Sequence, residues 1–249
     1  MSIQFSQFTN NAVTRNNADD TIARGLNAPN WPPGAAGGKQ ATTINDPLFF
    51  VYDLMAIPLA LDQQVTRILA KCKTANETER RLIIDAFFEN IAVMANLNPV
   101  PKISLEPHIG SMPPIGGNGG AGFGLGDQIG HGNVDYTYCD QLGGGLWWRH
   151  CVTVEAKAFL GAGGDVGQWQ LAATMATTNQ IGLAGLTRYR RGILTDGAYW
   201  RFYQLDCHLG QLQRSPMLNV GIPMNQPVVV SMIHKFFRYY DIQTNIWTA

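Results

Sequence analysis

Between Gly110 and Gly132 close to half of the residues are glycine, and Pro113 and Pro114 interrupt the rest. Glycine loses more backbone freedom on ordering than any other residue, so this run holds neither a helix nor a central strand. It is expected to be an exposed, mobile loop at 110–132 that separates helical patterns before it from strand patterns after it. Residues 1–46, rich in Asn, Thr, Ala, Gly and Pro and without sustained period, read as a polar N-terminal arm. Residues 47–249 are then one domain carrying the loop. With 249 residues, 45% of them hydrophobic, the chain can bury one sizeable core. No repeat of fixed period is visible, which sets aside solenoids and propellers.

Charge removes some functional classes. Eighteen basic side chains balance 18 acidic ones, so no long-range field draws the chain to a polyanion, and nucleic acid would need a local patch. The four cysteines lack C-x-x-C spacing, and reduced thiols are expected. The most apolar run, 48–61, is broken by Asp53 and Pro58 and falls short of the roughly 20 residues a membrane-spanning helix needs. Without a secretory signal pattern at the N-terminus, a cytoplasmic or nuclear protein with no membrane contact is expected.

The periodicities predict a helix over 47–72 and a second over 76–96. In the second, Leu82, Ile83, Ala86, Phe87, Ile91 and Met94 recur at intervals of mostly three and four. Pro99 and Pro101 end it, and a short strand is expected near 102–105. Strands over 134–139 and 151–157 follow, then a helix from Asp165 to about residue 180. Strands over 192–195 and 198–205 flank Asp196-Gly197, a type I′ hairpin signal, and a helix over 228–240 closes the chain. This order predicts an α/β fold, a mixed central sheet flanked by helices.

Strand alternation carries the chemistry. In 151–157, Val152, Val154 and Ala156 share one face, leaving Glu155 and Lys157 together on the other. In the preceding strand Asp135 lies opposite Val134, Tyr136 and Tyr138, so pairing the two strands brings Asp135 beside Glu155. Two adjacent carboxylates repel unless a cation lies between them, and oxygen donors with room for water and phosphate suit Mg2+ or Mn2+. Such an ion would polarise a phosphodiester while Lys157 positions the nucleophile. An isolated E-x-K also reads as an ordinary ion pair on a solvated strand.

The ordered set Asp135, Glu155-Ala156-Lys157 and Gln170 resembles the active-site signature of the PD-(D/E)XK, or restriction-endonuclease-like, nuclease superfamily. Gln170-Leu171-Ala172-Ala173, the run from Arg191 to Gly197, and Trp200-Arg201-Phe202-Tyr203 look like the helix and closing hairpin of versions common in fungal and Crinkler-type proteins. The resemblance covers residues 76–206. It implies an α-β-β-β-α-β core, with Asp135 and Glu155 as ligands of Mg2+ or Mn2+, Lys157 as catalytic lysine and Gln170 as a polar residue lining the site. A first-helix glutamate is usual as a further ligand of the ion, and Glu77 is taken for it, with Glu79 and Glu89 as rivals. Each also reads as an acid favoured by the helix N-terminus or by solvent. The sequence departs from the pattern in its glycine-rich insertion and in lacking a proline before Asp135.

The implied function is a metal-dependent nuclease acting on DNA or RNA. The alternative is a catalytically inactive domain of the same fold that binds nucleic acid or protein. Arg188, Arg190 and Arg191 are expected to grip phosphate, or else to form a wet charged surface. A homodimer or a regulatory protein partner is a further expectation. The glycines from Gly119 to Gly124, with Val154-Glu155-Ala156-Lys157, superficially resemble kinase elements. The chain has neither H-R-D nor D-F-G, so that class is set aside.

Overall fold

The computed structural model describes residues 3–4, 42–43, 54–71, 76–94, 102–105, 108–109, 130–141, 148–157, 160, 167–168, 170–171, 174–175, 189–206 and 211–238. Most of the expected arm and residues 110–129 of the glycine loop therefore lie outside the described residues. In chain order the strands are β1 (Ile3–Gln4), β2 (Thr42–Thr43), β3 (Lys102–Leu105), β4 (His108–Ile109), β5 (Gly130–Asn133), β6 (Tyr136–Gln141) and β7 (Trp148–Ala156). They continue with β8 (Tyr189–Thr195), β9 (Tyr199–Asp206), β10 (Gln211–Arg214) and β11 (Leu218–Asn219). The helices are α1 (Leu59–Lys71), α2 (Glu77–Met94) and α3 (Asn225–Arg238). Gln168, Gln170, Leu171, Thr174 and Met175 are also helical, in the stretch 167–175.

Local chemistry sets the helix starts. The helix expected from residue 47 begins at Leu59, because Pro58 holds the residue before it extended. Its own carbonyl accepts the Asp62 N–H at 3.1 Å. Asn76 caps α2, its Oδ1 accepting the Glu79 N–H at 2.9 Å. Ile83, Ala86, Phe87 and Ile91 are buried as their spacing predicts, together with Ile84 and Phe88, whereas Leu82 is 44% exposed.

The chain is α/β. Eight strands form one mixed sheet in the order β2-β10-β9-β8-β7-β6-β3, with β11 paired to β9. Neighbours β3, β6 and β7 run antiparallel, β7 and β8 run parallel, and β8, β9 and β10 run antiparallel. A parallel pair needs a crossover between its strands, and the 167–175 helix lies in that connection. A smaller sheet, β1-β5-β4, takes up Gly130, His131 and Gly132. The last residues of the expected loop are thus strand, held from both sides by backbone pairing. Ile3–Gln4 and Thr42–Thr43, inside the expected arm, pair with β5 and β10.

The two faces of the large sheet differ. On one, Val152, Val154, Ala156, Tyr136, Ile193, Trp200 and Phe202 join Leu61 of α1, Phe87 and Phe88 of α2, and Phe236 and Phe237 of α3 in a single apolar cluster. Each such fully buried side chain contributes about 1.5–3 kcal/mol. On the other face Leu171 and Met175 seat the 167–175 helix over Gly192, where an added Cβ would come within 2.5 Å of the Met175 sulfur. Among the described residues no helix is long and apolar enough to cross a membrane.

Candidate active site

Register brings the acids together. Tyr136 pairs with Val154, so Asp135 and Glu155, one step further along each antiparallel chain, come side by side at the end of the two strands. Tyr136 and Val154 point into the apolar cluster; alternation turns Glu155 of β7 to the opposite face, and Asp135 sits in the bend just before β6. Asp135 Oδ2 accepts the Ala156 N–H at 2.6 Å, which fixes its carboxylate over the end of β7. The Lys157 N–H donates to the Thr195 carbonyl at 2.9 Å, carrying the strand direction two residues past Glu155.

Lys157 then reaches both neighbours. Its Nζ is ion-paired with Glu155 Oε1 and donates to Gln170 Oε1 at 3.0 Å. Gly167 makes room for it. An added Cβ there would stand 2.5 Å from Lys157 Cε, and φ of +90° suits glycine alone without strain. The crossover helix thus starts against the lysine stem and delivers Gln170 to its ammonium.

Helix α2 supplies two further charges. Glu77 Oε1 accepts from Arg81 Nη2 at 2.9 Å, and the same nitrogen is bonded to Asp135 Oδ1. Glu77 acts electrostatically on both Asp135 and Glu155. Of its two rivals, Glu79 has its N–H on the Asn76 cap, and Glu89 acts on Asp85. Expected site residues Asp135, Glu155, Lys157, Gln170 and Glu77 therefore meet in one place. Arg81, which sequence reasoning passed over, links Glu77 to Asp135. Its one sequence signal is the i, i+4 spacing from Glu77.

Two of the expected phosphate-binding arginines are elsewhere. Arg190 and Arg191 are each 2% exposed, and Arg188 lies outside the described residues. Both sit on β8, an inner strand covered on its two faces, so neither forms a surface grip for a polyanion as the chain is folded here. The strand expected at 192–195 extends back to Tyr189 and takes both arginines into the sheet.

Burial and repulsion dominate the electrostatics. Glu155 is 4% exposed, and its carboxyl is pushed up to about 7 from 4.5. Desolvation is the main cause; the ammonium of Lys157 opposes it, and Asp135 and Glu77 add to it. Asp135 is also raised, first by burial, while the Ala156 N–H and Arg81 hold it down. With all three carboxylates ionised, the two cations would leave one negative charge over, and the raised Glu155 opposes that state.

Among the described residues no group of three or more His, Cys, Asp or Glu side chains is arranged to hold a metal ion. Two adjacent carboxylates, both held above their ordinary range mainly by burial, still fit a hard dication. Mg2+ characteristically takes one or two carboxylates and completes its shell with water and phosphate. No family model matches the chain, and no curated protein or solved structure matches it.

Proposed function

We propose that this chain is a metal-dependent phosphodiesterase, a nuclease of the PD-(D/E)XK type acting on DNA or RNA. The observation that carries the reading is the meeting of Asp135, Glu155, Lys157 and Gln170 at the end of two paired strands. The order α2, β3, β6, β7, crossover helix, β8, with β7 and β8 parallel, supports a restriction-endonuclease-like core.

Asp135 and Glu155 would hold Mg2+ or Mn2+, which when bound polarises a phosphodiester and lowers the pKa of a coordinated water. Asp135 is pre-set for this by the Ala156 N–H, so little side-chain entropy is lost when it engages. Lys157 orients the attacking water and offsets charge that develops on the phosphoryl oxygens. Gln170 accepts a hydrogen bond from one of the three ammonium N–H groups and leaves the others for Glu155 and the reacting group. The buried floor around Glu155 limits the water that competes for these donors.

A cleavage assay with single- and double-stranded DNA and RNA tests the reading. Wild type is expected to cut at least one of them with Mg2+ or Mn2+ and to be silenced by chelation. Asp135→Ala and Lys157→Ala should each lose about a hundredfold or more, with circular dichroism unchanged. Absence of cleavage on all four substrates with either ion leaves the inactive, binding-module reading in its place.

A further inference from the structure

We infer that Arg81 is the resident counter-cation of Asp135 and exchanges with the divalent ion at that carboxylate. The inference rests on the nuclease reading and deepens it. Arg81 projects from α2, which packs against the apolar face of the sheet, and its guanidinium reaches an acid in the bend just before β6, 54 residues away in sequence. Asp135 is largely withdrawn from solvent, its side chain 16% exposed. An acid so placed cannot stay ionised without a partner, and here Oδ2 has the Ala156 N–H while Oδ1 has Arg81.

The two cations compete for the same carboxylate. A divalent ion held by Asp135 and Glu155 would take a carboxylate oxygen from each. On Asp135, Oδ2 already accepts a backbone N–H, while Oδ1 carries no backbone bond and is the oxygen less committed to the fold. Arg81 occupies Oδ1, and a dication at that oxygen would also stand against the guanidinium charge. Glu77 gives the displaced side chain a place to stay. It accepts from the same Nη2 at 2.9 Å and lies on the same helix four residues earlier, so Arg81 keeps an ionic partner after leaving Asp135. Glu77 thereby acts through Arg81, as a positioning residue.

The exchange makes two measurable demands. In a Mn2+ titration followed by the electron paramagnetic resonance of the free ion, Arg81→Gln should bind about tenfold more tightly than wild type, one competing contact having been removed. Equal or weaker affinity overturns the inference. Loss of any nearby positive charge would favour a cation, so a second measurement follows the arginine itself in wild type. In an NMR titration with Mg2+, the Arg81 side-chain Nε–H resonance, identified by its absence in Arg81→Lys, should shift with the same midpoint as the Ala156 amide. An Arg81 signal that stays put while the amide moves overturns the exchange even if Arg81→Gln does not fold. Metal binding and arginine displacement without cleavage would sink the nuclease reading alone. Mn2+ binding that Asp135→Asn abolishes, with Arg81 unmoved, would sink the exchange alone. No binding of either ion by wild type or variant removes both.

Discussion

Glu155 carries a proton more readily in the folded chain than in the unfolded one, because burial and the carboxylates of Asp135 and Glu77 outweigh the pull of Lys157. The sign of the pH effect follows. Its contribution to stability is fully present below about 4.5 and is lost as pH rises through about 7. Metal-free protein should therefore lose stability across that interval relative to Glu155→Gln, as thermal melts at a series of pH values would measure, and Mg2+ should narrow the difference. A wild-type curve parallel to that of the variant would contradict the environment assigned to Glu155. The pairing of Glu155 with Lys157 was legible from strand period alone, and so was the approach of Asp135 once two neighbouring strands were assumed. Arg81 was not, because its contact depends on how a helix docks on a sheet, and no local spacing encodes that. Arg190 and Arg191 were not placed for a related reason: no local spacing says that the strand reaches back to Tyr189 or that both its faces are covered.

At the scale of elements, the β8–β9 turn shows side-chain chemistry shifting a register. The dipeptide Asp196-Gly197 predicts a two-residue loop, yet Thr195 pairs with Trp200 and the Asp196 N–H donates to the Tyr199 carbonyl. The tight loop is therefore Gly197-Ala198, with Gly197 at φ +80° in the first central position, as primed turns require. Asp196 is used instead as an internal acceptor. Its carboxylate takes the N–H groups of Leu160, Ala198 and Tyr199 and pairs with Arg80 of α2 at 3.3 Å. It is fully buried. Asp196→Ala leaves these three donors without their acceptor and Arg80 with the residue 196 carbonyl in place of the carboxylate, and should cost about 3–5 kcal/mol in denaturant unfolding; a cost below about 1 kcal/mol would mean the turn is held by something else. The start of α1 had a local cause, Pro58, and was misplaced because the apolar pattern before it resembled helix.

Across the whole molecule, one aromatic residue joins four elements. Phe88 of α2 lies 5.6 Å from the Tyr136 ring of β6, 6.0 Å from Trp200 of β9 and 5.7 Å from Phe237 of α3, centroid to centroid. Phe88→Ala should cost about 3–5 kcal/mol, and unfolding followed by tryptophan fluorescence and by far-ultraviolet circular dichroism should still coincide in one transition. Separate transitions would divide the cluster into independent parts. The order of helices and strands was readable from periodicity and proline placement, while β10, β11 and the small sheet were not, being too short to show a period. The aromatic cluster and the Lys157–Gln170 pair use opposite sides of one sheet. Substitutions at Lys157 or Gln170 leave the aromatic cluster intact, so a descendant of this chain can surrender its chemistry in a single mutational step and persist as a well-folded surface for another use.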